Sequence, residues 1–169
     1  MINNDKKYVV ASRSVELTKV ALVTALYVVI TLALSVISFG SLQLRLSEMF
    51  NYLPLFNKRY IWAVTIGVAI ANMNSPLGII DVLIGSISTY LVLQLVLWVT
   101  KKIKDVRMKF IVTAIIFAIS MFTVAGQLAI FYDMPFYATW LSVAIGELFS
   151  MTIGGIIIYW VSQKVDLAK

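Results

Sequence analysis

Apolar residues run almost without interruption along this chain, and a few polar breaks divide it into segments. A first run covers 17–39 and ends at Gly40. The polar stretch SLQLR follows, and then a short amphipathic segment at 47–56. Asn57, Lys58 and Arg59 interrupt the pattern before a second short apolar run at 60–72. The sequence Asn72-Met73-Asn74-Ser75-Pro76 reads as a turn, because Asn and Pro both favour such breaks. A long run over 77–100 comes next, then KKIKDVRMK, a run over 110–131, the break Tyr132-Asp133-Met134-Pro135, and a last run over 136–162. A hydrocarbon core about 30 Å thick takes roughly 20 apolar helical residues to cross. The pattern therefore predicts six helical segments, one long, two short and three long, in a single membrane domain over 1–169. Two short helices at membrane depth are tolerated where protein encloses them. The first run is too long, and too poor in a small-residue cleavage pattern, to read as a signal peptide.

Composition agrees with that class. Hydrophobic residues make up 61% of the 169 positions and charged residues 13%, whereas a soluble domain keeps about a quarter of its residues charged. The mean hydropathy is +0.94. The chain reads as an all-α integral membrane protein. It has no cysteine, which excludes disulfides and thiolate chemistry, and no histidine, which removes the commonest general base and metal ligand. It lacks a G-x-x-x-x-G-K-[ST] loop and so has no phosphate cradle of its own.

Charge sets the expected orientation. With six crossings and both termini cytoplasmic, the inner regions are the N-terminus, 57–59, 101–109 and the C-terminus. Twelve of the fourteen Lys and Arg residues fall there and a thirteenth, Lys19, at the inner end of the first run, Arg45 being the exception, which is the positive-inside pattern. The acidic residues Glu48, Asp81, Asp133 and Glu147 fall on the outer side or within a span.

An ionised side chain at the bilayer centre costs roughly 2.5 to 3.5 kcal/mol and is rarely left without a purpose. In the segment GSLQLRLSEMFNYLPLF, Arg45, Glu48 and Asn51 stand at three-residue spacing. On a helix they would share a face, and Arg45 and Glu48 could pair. Glu147 lies roughly 16 Å along the last helix, near mid-membrane, with Trp140 seven residues earlier on the expected same stripe. Asp81 falls near the outer end of the fourth helix, behind Asn72 and Asn74, and Gln127 in the outer part of the fifth. Carboxylates, amides and aromatic faces in an otherwise apolar wall are what a solute pocket needs. Structural readings compete: an ion pair at Arg45–Glu48, turn formation by Asn74, and interfacial anchoring by Trp140, Tyr132 and Tyr137. At the other end of the chain, Ala21 and Ala25 form a small-xxx-small pair that lets another helix approach closely in lipid.

These residues carry a resemblance. The A-x-x-x-A of the first helix, LQLRLSEMFNYLPLF (42–56), IANMNSPLGIIDVLIGS (70–86) and GELFSM (146–151) resemble the substrate-binding S-components of energy-coupling-factor transporters, within them the QueT family assigned to queuosine precursors. The resemblance implies a six-helix binder without catalytic activity in the cell membrane, with its substrate near the extracellular side. It implies that Ala21 and Ala25 contact a transmembrane T-component joined to two cytoplasmic ATPases, which would use the ATP. No cofactor in this chain and no nucleic-acid partner are expected. The cargo would be a deazaguanine bearing an aminomethyl group, recognised through Arg45, Glu48, Asn51, Asn72, Asn74, Asp81, Gln127, Trp140 and Glu147. Glu147, Asp81 and Glu48 would supply acceptors, and Trp140, Phe50 or Tyr132 would stack on the ring. A larger vitamin such as cobalamin is the alternative cargo, and an autonomous proton-coupled carrier using Glu147 is the alternative mechanism.

Overall fold

The computed structural model describes residues 3–40 and 43–168; Leu42, which opens the second quoted motif, lies outside them. The described residues form seven α-helices and one 3₁₀ helix, with no strand among them. In chain order these are α1 (Asn3–Ala33), α2 (Ser35–Ser38), the 3₁₀ helix (Leu46–Leu55), α3 (Tyr60–Asn72), α4 (Ile79–Thr100), α5 (Val106–Ser120), α6 (Phe122–Tyr132) and α7 (Phe136–Ser162).

The differences from the expected segments have local causes. Helix begins at Asn3 rather than near residue 17, because Lys, Glu and Arg are good helix formers and hydropathy sets burial, not helicity. A bend at Leu34 separates α1 from α2, where the expected first segment was continuous. The expected helix over 110–131 starts at Val106, where Asp105 caps it by accepting from the Arg107 backbone N–H at 3.0 Å. That run also divides at Met121. There the Ser120 hydroxyl donates to Phe117 O at 2.7 Å, and the Thr123 hydroxyl to Ser120 O at 3.0 Å. Such bonds give the backbone an alternative to the helical ladder. Helix α4 starts at Ile79, since Gly78 holds φ +55°, a conformation open mainly to glycine.

Four stretches among the described residues are long and apolar enough to cross a membrane: 13–33, 79–100, 106–132 and 136–162. Helix α3 is apolar but shorter. The elements pack in a closed ring: α1 on α3, α3 on α4, α4 on α5, α5 on α7, α7 on the 3₁₀ helix, and the 3₁₀ helix back on α1, with α6 against α7. The 3₁₀ helix is the inner wall of this ring, and seven of its ten residues are buried. It can lie so close to α7 because Gly154 offers no side chain; a Cβ there would collide with the backbone and Cβ of Met49. Beside this seam the Tyr52 ring stacks on Phe110 at 4.2 Å, and its hydroxyl donates to Met151 O at 3.0 Å. Tyr27, Tyr52, Leu93, Val96 and Met151, all nearly inaccessible, make the centre of the core.

Candidate functional site

Arg45 precedes the 3₁₀ helix in extended conformation, at φ −105° and ψ 99°. Its side chain therefore leaves the face that Glu48 occupies and crosses to α3 and α4. One Nη donates to Asn72 Oδ1 at 3.0 Å, and the other lies 3.8 Å from Asp81 Oδ2. Nε donates to Ser38 O at 3.2 Å, and the guanidinium sits 4.9 Å from the centre of the Phe39 ring. Asn72 is itself held, donating through Nδ2 to Asp81 O at 3.0 Å. The expected Arg45–Glu48 pair is thus replaced by an Arg45–Asp81 pair, because three-residue spacing brings side chains together only when both ends are helical.

Glu48 is bound on its other side. Tyr27 of α1, fully buried, donates its hydroxyl to Glu48 Oε1 at 2.7 Å, and Asn51 Nδ2 donates to Oε2. One turn along α1 the hydroxyls of Thr31 and Ser47 bond at 2.6 Å. The first helix and the 3₁₀ helix are therefore joined by two buried polar contacts directly beneath the site.

Arg45, Glu48, Asn72, Asp81 and Glu147 line one small chamber of about 50 Å³, together with Gln43, Ser88, Thr89, Ser120 and Thr123. Gln43, Asp81 and Val124 also line a larger vestibule of about 710 Å³, walled by Phe39, Pro76, Tyr132, Thr139 and Ser142 among others. Gln43 stands at the junction with φ +48°. Glu147 is only 3% exposed, and its Oε1 has no hydrogen-bond partner among the described residues. Three carboxylates share this chamber with one guanidinium. A buried charge is costly unless paired, so the chamber is suited to a ligand that brings N–H donors or positive charge.

Not every expected residue reaches the chamber. Asn51 lies behind Glu48 and holds it. Gln127 is buried, with both amide atoms unpartnered among the described residues, but it borders neither space. Asn74 is exposed in the turn after α3, bonding through its backbone to Ala71 O at 3.1 Å. Trp140 faces a separate surface groove with Ile119 and Tyr137. Its indole donates to Ile119 O, a carbonyl in the last turn of α5, at 3.2 Å. Phe50 packs in the core 6.3 Å from the Tyr27 ring, whereas Tyr132 lines the vestibule.

Comparison with known proteins decides the family. Residues 17–164 match the family model described as QueT transporter. The chain is 39% identical over 167 residues to the queuosine precursor transporter QueT of Lactococcus lactis subsp. cremoris (strain MG1363), a match covering 94% of this chain and 98% of that relative. The chain belongs to the QueT transporter family. No solved structure matches it.

In this QueT-family chain, sequence reasoning overlooked several chamber residues. On α4, Gly85, Ser88, Thr89 and Val92 line the chamber along with the expected Asp81, at successive spacings from it of four, three, one and three residues, one face of a helix. That periodicity was a readable signal for Ser88 and Thr89. Tyr27 gave none, since a tyrosine within an apolar helix looks like ordinary core. Ala21 and Ala25 lie exposed on the opposite side of α1 from Tyr27, among Leu22, Leu26 and Val29.

Proposed function

We propose that this transporter-family chain is the substrate-binding subunit of an energy-coupling-factor importer and takes up a queuosine precursor from outside the cell. The name of its Lactococcus relative supports the cargo, and the absence of a phosphate-cradling loop supports an energy source on other chains. In this reading the chain crosses the plasma membrane six times with both termini cytoplasmic, the two short helices forming one inner pair. The vestibule then faces outward, away from the segments that hold twelve of the fourteen basic residues. A T-component docks on the exposed Ala21–Ala25 face of α1 and links the chain to two ATPases.

One observation carries the binding role: Glu147 presents an unpartnered carboxylate oxygen to the same chamber as Glu48, Asp81 and Arg45. A deazaguanine edge offers adjacent N–H donors that a carboxylate accepts as a pair, and an aminomethyl group brings a cation. The combined space falls within the range usual for small-ligand sites. Glu147 takes the N–H donors, Asp81 and Glu48 balance positive charge, and Asn72 and Arg45 fix the wall. Tyr132 offers a flat face in the vestibule.

Titration calorimetry of the detergent-purified chain with an aminomethyl-deazaguanine tests this. Glu147→Gln exchanges an acceptor pair for an amide that is half donor. Loss of a charge-assisted hydrogen bond costs about 1.5 to 3 kcal/mol, so affinity should fall roughly ten- to a hundredfold. Unchanged affinity in a folded Glu147→Gln protein would place the site elsewhere.

A further inference from the structure

At the opposite end of the bundle from the chamber, a groove of about 290 Å³ runs between α5 and α7. Ala114 and Gly155 are small residues of its lining, Gly155 lying against the Tyr52 ring, while Phe110 and Trp160 are bulky ones. Tyr52, stacked on Phe110, lines it from the core side. The lining is almost wholly apolar except for Arg107.

Arg107 is exposed in the first turn of α5, 5.6 Å from the centre of the Tyr159 ring, and its Nε donates to the Tyr159 hydroxyl at 3.4 Å. The nearby Asp105 is turned to cap the helix through the Arg107 backbone N–H. No carboxylate lies within ion-pair distance of the Arg107 guanidinium among the described residues. Its two Nη groups are left to donate outward, with Lys104 and Lys109 close in sequence. Trp160, 67% exposed, lines the same groove, and tryptophan favours the headgroup level of a bilayer.

An alkyl-sized slot ending at an unpaired cation matches one class of molecule. We propose that this groove binds an anionic phospholipid, with an acyl chain between Ala114 and Gly155 and the phosphate at Arg107. A guanidinium binds phosphate through paired hydrogen bonds, and basic pockets between membrane helices take anionic headgroups. The site is separate from the polar chamber and does not depend on the cargo proposed for it.

Native mass spectrometry of the purified chain with phosphatidylglycerol and phosphatidylcholine of identical acyl chains reads this directly. The wild type should retain phosphatidylglycerol in preference to phosphatidylcholine. Arg107→Gln should reduce that preference roughly fivefold. Ile111→Trp, a change at a groove-lining side chain that is already 52% exposed, should lower retention of both lipids by filling the slot without disturbing the core. Lys58→Gln, which removes the same charge at a residue that does not line the groove, should change neither. Equal retention of the two lipids by the wild type would overturn the proposal. So would equal losses in Arg107→Gln and Lys58→Gln, which would mean bulk charge, or a second copy cross-linking across Ile111 in phosphatidylglycerol vesicles, which would mean a protein interface.

Discussion

At the scale of single residues, the site depends on side chains that hold other side chains. Glu48 keeps its place through Tyr27 and Asn51, and Arg45 through Asn72, Asp81 and the Ser38 carbonyl. Tyr27→Phe removes one hydroxyl and leaves Glu48 Oε1 buried without its donor, an arrangement that costs about 1 to 3 kcal/mol. The expected result in calorimetry is cargo affinity weakened roughly tenfold. Because the effect passes through Glu48, combining Tyr27→Phe with Glu48→Gln should cost less than the sum of the two single changes. Strict additivity would mean that Tyr27 does not act through Glu48. The charged members of the chamber were legible in the sequence, since Arg45, Glu48, Asp81 and Glu147 stand out in so apolar a chain and ionised groups in membranes are expensive. Their pairings were not legible. Spacing assumes a helix, and Arg45 lies just outside one. Trp140 shows the same limit, because heptad spacing from Glu147 described a straight stripe while the Ile119 carbonyl at the end of α5 captured the indole.

At the scale of elements, the 3₁₀ helix matters most, because it closes the ring between α7 and α1 and sets Glu48, and Arg45 just before it, at the chamber. Its seat on α7 is a close approach at Gly154, where the obstacle to any side chain is Met49 backbone and Cβ rather than a flexible tip. Gly154→Leu should therefore be overpacked, with a loss of about 1 to 3 kcal/mol in stability. Thermal unfolding of the detergent-purified chain should show a clearly lowered midpoint; an unaltered midpoint would show that the seam can open. The breaks at Arg59, at the Asn72 turn and at Pro135 were legible, and α3 and α7 begin or end beside them. The break at Met121 was not, since it arises from hydroxyl-to-backbone bonds at Ser120 and Thr123 that hydropathy does not register. The early start of α1 was hidden for a related reason, as charged residues lower hydropathy without opposing helix.

At the scale of the whole molecule, polar and apolar parts are separated along the bundle. The chamber is lined by Asp81 to Val92 of α4, by Phe117 and Ser120 of α5, and by Glu147 of α7. Farther along the same helices come Leu93 and Val96, Phe110, and Met151 and Ile158, closed over by Tyr52 and Leu53. Those side chains are nearly inaccessible, and the Tyr52 hydroxyl beside the stack on Phe110 is satisfied by Met151 O. Vesicles containing this chain alone should consequently be as tight to small ions and to the cargo as protein-free vesicles, measured by dye release and radiolabel flux. Flux through the isolated chain would mean that the packed layer opens by itself. The geometry is that of a cup and not of a pipe. For the cargo proposed above, a cup would have to turn over or break its base to empty on the far side, and each journey could carry no more than the cup contains.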